Sequence, residues 1–174
     1  GSYTVTVTDL IGCSVVTAYV ITEPDAFVIT RSTDSVSCHG GDDGVARIFV
    51  DGATPPYTYL WPNGNNTDIL TTSAGSYIVT VQDNNDCRYT EEFIIKEPEP
   101  LIVTPINNRT ICKGQSTTLT TQVTGGTPYY DYRWQGPDGA QYFGSHYVVS
   151  PTEVSNYGLT VSDANGCSFA VTPV

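Results

Sequence analysis

Residues 3–8, Tyr3-Thr4-Val5-Thr6-Val7-Thr8, alternate strictly, with Tyr3, Val5 and Val7 on one side and three threonines on the other. A period of two places successive side chains on opposite faces, so the run predicts a β-strand with one buried face. The pattern returns in Tyr77, Val79 and Val81, and again in Tyr157, Leu159 and Val161. Each run ends in an aspartate and a turn: Asp9-Leu10-Ile11-Gly12, Asp83-Asn84-Asn85-Asp86 and Asp163-Ala164-Asn165-Gly166. A strand after each turn completes three hairpins. Residues 45–50 follow the turn Gly40-Gly41-Asp42-Asp43-Gly44 and predict a strand with Ala46, Ile48 and Val50 inward. Their counterpart is residues 116–123, with Leu119, Thr121 and Val123 inward. Pro55-Pro56 and Pro128 interrupt the chain before two short aromatic strands, 57–61 and 130–134. Alternation sets Tyr57, Tyr59 and Trp61 on one face and Leu60 on the other, and the aromatic face is the stronger candidate for core. Trp61 and Trp134 are then core tryptophans under the sheet. No segment carries sustained helical periodicity.

These elements repeat. GSYTVTVTDLIGC at residues 1–13 returns as GSYIVTVQDNNDC at 75–87, an offset of 74, and as SNYGLTVSDANGC at 155–167, a further 80. DGATPPYTYLW at 51–61 returns as GGTPYYDYRW at 125–134. Such a period is too long for a solenoid unit that leans on its neighbours. It suits separate small domains, each with its own core. The expected division is the end of a preceding repeat at 1–24, a full repeat at 25–99 and a divergent one at 100–174. About seven short strands per repeat, a core Trp and a Tyr opening a late strand predict tandem immunoglobulin-like β-sandwiches. That Tyr is placed to form a tyrosine corner. The cysteines are not at antibody positions, since Cys87 follows Tyr77 by ten residues. Glu23-Pro24-Asp25 and Glu97-Pro98-Glu99-Pro100 read as linkers, and proline makes them short and stiff.

Composition sharpens this. Tyr, Thr, Val and Gly dominate, Met is absent, and lysine occurs only at Lys96 and Lys113, a balance suited to strands and tight turns. Eighteen acidic residues against seven basic ones give a net charge of −11. Phosphate binding needs a basic face, so nucleic acid is an unsuitable partner, as is insertion at an anionic membrane surface. Acidity of this kind keeps an exposed extracellular surface soluble.

Five cysteines fall into two kinds: Cys38 and Cys112 precede a Gly-rich turn, whereas Cys13, Cys87 and Cys167 follow an Asn/Asp turn. The simplest pairing is Cys38–Cys87 and Cys112–Cys167, leaving Cys13 alone. A bridge closing about 50 residues adds ~4 kcal/mol in the chain-entropy model and implies an oxidising compartment. Sequence does not fix connectivity. Cys13–Cys38 and Cys87–Cys112 also share a spacing and would cross the boundaries. If the two kinds lie at opposite ends of a sandwich, a bridge between neighbours is favoured. No CxxC or Cys/His cluster points to zinc.

Residues 38–64, CHGGDDGVARIFVDGATPPYTYLWPNG, with AGSYIVTVQDNNDC at 74–87 and Lys96-Glu97-Pro98, resemble the SprB repeat of very large surface adhesins of gliding Bacteroidetes. The resemblance is close over 25–98 and covers 1–24 as the end of such a repeat. Residues 101–174, with ICKGQSTTLT and SNYGLTVSDANGC, resemble a related PKD-like or Ig-like domain. The resemblance implies export by type IX secretion, display on a filament moved along the cell surface, and a part in attachment and gliding. It brings no catalytic residues.

The residues themselves offer little chemistry. His39 adjoins Cys38, but sequence neighbours on a strand point oppositely, and an oxidised Cys38 is no nucleophile. His146 stands alone. GxSxG, HExxH and phosphate-loop patterns are absent, so the chain does not read as an enzyme. Calcium is the better candidate ligand. Asp42, Asp43, Asp83, Asp86 and Asp163 lie on turns and Glu97 and Glu99 on a linker, and calcium takes six to eight oxygens from such loops. Aspartate also bonds its own backbone in turns, which is the simpler reading. Asp34-Ser35-Val36 resembles the Bacteroidetes O-glycosylation signal, with Ser35 as acceptor. Two functions follow. One is a structural stalk module whose partners are the neighbouring repeats of its own polypeptide. The other is a polysaccharide-binding module using Tyr57, Tyr59, Trp61 and Trp134, with Tyr129, Tyr130 and Tyr132 alongside.

Overall fold

The first alternating run becomes β1 (Ser2–Thr8), paired antiparallel with β2 (Ser14–Val20) from Ser2↔Val20 to Thr8↔Ser14 in the computed structural model. The structure describes residues 1–104 and 108–171, and these contain sixteen strands and no helix. The alternation of β1 was expected to bury one face, and this is corrected: Tyr3, Val5 and Val7 stay 58%, 50% and 64% exposed. Two strands alone have no second layer to pack against, and alternation by itself buries nothing.

Two true cores follow. In the first, β3 (Phe27–Asp34), β4 (Gly44–Gly52) and β6 (Ile69–Thr72) form one antiparallel sheet in the order β3-β4-β6. Facing it, β5 (Thr58–Leu60), β7 (Gly75–Gln82) and β8 (Arg88–Ile95) form the sheet β5-β7-β8. Ala46, Ile48, Trp61, Val79, Val81 and Phe93 fill the space between the sheets. The inward sides of β4 and β7 are those the alternation predicts, and Leu60 points to solvent. Arg31 ties the two layers at their edge, donating to the Glu92 carbonyl at 2.8 Å and meeting Glu91 at 2.7 Å.

In the second, β9 (Ile102–Val103) pairs with β11 (Val123–Thr124), and β10 (Thr117–Thr120) pairs with β14 (His146–Val149). Opposite lies a four-stranded sheet ordered β13-β12-β15-β16, from β12 (Asp131–Gln135), β13 (Gln141–Phe143), β15 (Gly158–Ser162) and β16 (Ser168–Val171). Val103, Leu119, Trp134, Val149, Leu159 and Val161 make its core. The single strand expected at 116–123 splits into β10 and β11. Thr121 does not enter the core as an apolar residue would, because its hydroxyl donates to the Thr104 carbonyl at 2.8 Å.

The two cores share local devices. Trp61 donates its indole N–H to the Thr67 carbonyl at 2.8 Å, and Trp134 to the Gly144 carbonyl at 2.9 Å. Each large ring therefore enters the core with its polar atom satisfied. The Tyr57 hydroxyl donates to the Gly52 carbonyl, and that of Tyr130 to the Gly125 carbonyl. Tyr77 makes the expected corner, donating to the Ser73 carbonyl at 3.1 Å while accepting from Thr72 at 2.9 Å. The chain is all-β, built of antiparallel sheets in sandwich layers.

Candidate functional site

Two turns meet where the first core hands over to the second. One is Cys38-His39-Gly40-Gly41, between β3 and β4. The Gly41 N–H closes it on the Cys38 carbonyl at 2.9 Å, and Gly40 takes φ +72°, a region glycine enters without steric cost. Asp43 props the approach by accepting the Ser37 N–H at 2.9 Å. Hydrogen bonds from the Ser37 side chain and backbone hold its carboxyl below the ordinary range.

The other turn is the tip of the β15–β16 hairpin, organised by the buried Asp163. One of its oxygens accepts the N–H groups of Asn165 at 3.0 Å and Cys167 at 2.9 Å, and the other accepts that of Thr127 at 2.8 Å. Burial pushes this carboxyl upward, but the N–H donors of Thr127, Cys167, Asn165 and Gly166 outweigh it, so its pKa lies below the ordinary value. The tip is thereby rigid, and it aims two groups at the first turn. The Asn165 amide donates to Thr127 Oγ1 at 3.0 Å and to the Ser37 carbonyl at 2.8 Å. Cys167 forms a disulfide with Cys38, their Cα atoms 5.7 Å apart.

The linker is fastened on both sides. Toward the first core, Val36 donates to the Lys96 carbonyl at 3.0 Å and Gly40 to Glu97 Oε2 at 2.8 Å. His39 Nδ1 lies 3.2 Å from the Pro98 carbonyl and 3.3 Å from Glu97 Oε2, both acceptors, so this nitrogen carries the ring hydrogen. Toward the second core, Gly126 donates to the Glu99 carbonyl at 2.8 Å. Gly125 sits at φ +70° with the Pro100 carbonyl 1.9 Å from where a Cβ would stand, so only glycine lets the linker lie this close.

The disulfide corrects the pairing expected within repeats. Neither Cys38–Cys87 nor Cys112–Cys167 forms, and Cys87, Cys112 and Cys13 are exposed thiols. The reason is that the two cysteine kinds occupy opposite ends of a sandwich. The Cys38 turn bonds residues 96–98, where the chain leaves the first core. The Cys87 tip instead bonds Thr54, whose neighbour Ala53 donates to Ala26, where the chain enters. Cys13–Cys38 and Cys87–Cys112 are also unformed. A bridge between neighbours, the arrangement that opposite ends favour, is what the structure contains.

The remaining candidates are dispersed. Trp61 and Trp134 are fully buried, and Tyr57 and Tyr59 pack half-buried on the first core, so the proposed ligand aromatics present no open platform. Asp42, Asp43 and Glu97 sit at the exit end of the first core and Asp83 and Asp86 at its entrance. Asp83 spends its oxygens on the N–H groups of Thr54, Asn85 and Cys87, and Asp86 accepts from Gln82. Glu99 enters the joint through its carbonyl. Among the described residues no three His, Cys, Asp or Glu side chains gather as a metal site. His146 is exposed on β14, and Ser35 is exposed just after β3. Sequence reading missed Asn165, Ser37 and Thr127 as parts of the joint. The available signal was the asparagine shared by positions 85 and 165, where the first hairpin has Ile11.

No curated protein matches the chain. Residues 30–66 match the family model of the SprB repeat, a structural rather than an enzymatic repeat. The matched stretch begins within β3, includes the Cys38 turn of the joint and runs past Trp61 at the centre of the core. Over residues 30–66 the chain is similar to a SprB repeat, and the turn of the joint that holds Cys38 lies inside that matched stretch.

Proposed function

We propose that the chain is a spacer segment of a secreted, surface-displayed adhesin, in which successive sandwiches hold a distant tip away from the cell. The observation that carries this reading is the joint: a linker bonded on both sides and crossed by the Cys38–Cys167 bridge. A binding module gains from an accessible cleft or platform, whereas this chain places its bonding between its cores. The SprB match supports a place in adhesins of gliding Bacteroidetes, with type IX export, an extracellular location and a role in attachment and gliding. The disulfide accords with an oxidising compartment. The exposed Ser35 belongs to the same reading as an O-glycosylation site, and the intact mass of protein from its native host tests that. Calcium is given no part in the joint, since Glu97 and Asp163 already accept backbone N–H groups there.

The test is binding of the whole chain to a polysaccharide panel, with calcium and with chelator. The expected result is no saturable binding in either condition. Substituting Trp61 is the wrong control, because the ring is core. Tyr129, 90% exposed, is the right one. Saturable binding abolished by Tyr129→Ala, with the fold intact, would make the repeats themselves adhesive and overturn the spacer reading.

A further inference from the structure

Cys87 lies on a hairpin tip with the same internal hydrogen bonds as the Cys167 tip, and Cys112 in a turn closed as the Cys38 turn is. At the Cys87 tip, Asp83 accepts from Asn85 at 2.9 Å, from Cys87 at 2.8 Å and from Thr54 at 3.1 Å. Asp163 does the same with Asn165, Cys167 and Thr127. The Asn85 amide donates to Thr54 Oγ1 at 2.8 Å, as that of Asn165 does to Thr127 Oγ1. In the Cys112 turn, Gln115 donates to the Cys112 carbonyl at 3.0 Å and Gly114 takes φ +83°, repeating Gly41 and Gly40. Both thiols are exposed.

We propose that the Cys38–Cys167 bridge is one rung of a ladder, and that the Cys112 turn and the Cys87 tip are the complementary half-sites for the same joint with a further repeat. This deepens the spacer reading and rests on it for the partner, which is another repeat of this build. A second copy of the chain can supply it. The rung forms by thiol–disulfide exchange with a small-molecule disulfide. One protein thiolate attacks that disulfide and releases one thiol, then the second protein thiolate attacks the mixed disulfide and releases the other. Two cysteine thiols are oxidised and one disulfide is reduced to two thiols.

Cys13 provides an internal control. Asp9 accepts the N–H groups of Ile11 at 3.0 Å and Cys13 at 2.9 Å, so this tip has the same hairpin turn, and its thiol is likewise exposed. It carries Ile11 where the other tips carry Asn85 and Asn165, and therefore lacks the amide that reaches across the joint to Ser37. Reactivity alone would treat Cys13 and Cys87 alike, whereas recognition prefers Cys87.

The experiment is oxidation of concentrated whole chain with oxidised glutathione, followed by mass-spectrometric mapping of the linked peptides. Expected are covalent multimers in which Cys112–Cys87 links exceed Cys112–Cys13 links about fivefold, the worth of one hydrogen bond. In Asn85→Ala the excess should fall to parity, with the fold checked by circular dichroism. Parity in the unmodified chain, a majority of Cys112–Cys112 links, or a chain that stays monomeric would each overturn the ladder. Those results leave the spacer reading standing, because the polysaccharide panel tests it separately.

Discussion

The Asn165 side chain and the Ser37 carbonyl, 128 residues apart in sequence, meet at 2.8 Å beside the Cys38–Cys167 disulfide. One covalent and one polar contact thus fix the same two turns. A disulfide inside a single core would contribute to the stability of that core. A disulfide between two cores acts mainly on how they sit together. Reduction is therefore expected to leave both cores folded while broadening the joint. Small-angle scattering should show a larger radius of gyration, and the emission of Trp61 and Trp134 should not move. A red shift on reduction would mean that the bridge holds a core together.

Asp163 makes the second core sensitive to acid. Its carboxyl has a lower pKa folded than unfolded, so the folded state favours the ionised form. The resulting stability is fully present above the unfolded value near 4 and is lost as pH falls through the lower folded value. Melting of the second core should be level from pH 7 to about pH 5 and decline below 4. Asp163→Asn should flatten that decline and lower the melting temperature at neutral pH, the loss being about 2 kcal/mol from weakened hydrogen bonds to a charged acceptor.

Trp61 and Trp134 belong to separate cores. Replacing either with alanine should cost its own core about 3–5 kcal/mol and leave the other unaffected, because distant sites without shared partners act independently. The chain has two tryptophans, so each variant keeps one fluorescent reporter in the untouched core. Loss of both transitions in one variant would show that the cores fold as a unit.

The β1–β2 hairpin and the β7–β8 hairpin have nearly the same sequence pattern and opposite environments. Val5 is half exposed and Val79 fully buried. Val5→Thr should change stability by less than about 0.5 kcal/mol, and Val79→Thr should cost roughly 1–3 kcal/mol by burying a hydroxyl. Backbone amides of β1 should exchange with deuterium much faster than those of β7.

That pair of hairpins also marks how far sequence reading reaches. Alternation placed Tyr77, Val79 and Val81 on the buried side of β7 and, by the same rule, Tyr3, Val5 and Val7 on a buried side of β1. The rule gives the face, while burial depends on a second layer, which periodicity does not report. The tryptophans, the three Asp-led turns and the linkers were legible because each rests on local chemistry. The joint was not. Pairing Cys38 with Cys167 requires knowing that a Gly-rich turn lies at the exit of one sandwich and a hairpin tip at the entrance of the next, a relation of ends set by topology.

A bridge between residues 38 and 167 also decides what happens when the chain is stretched from its termini. Tension entering along β3 crosses at Cys38 to Cys167 and leaves along β16, bypassing the 129-residue separation that contains most of both cores. That loop stores roughly 430–460 Å of contour length when fully extended, none of which pulling can release while the sulfurs stay joined. The oxidised chain would lengthen only through the residues outside the bridge, β1 to β3 among them, whereas the reduced one would act as a shock absorber that also pays out the loop one core at a time.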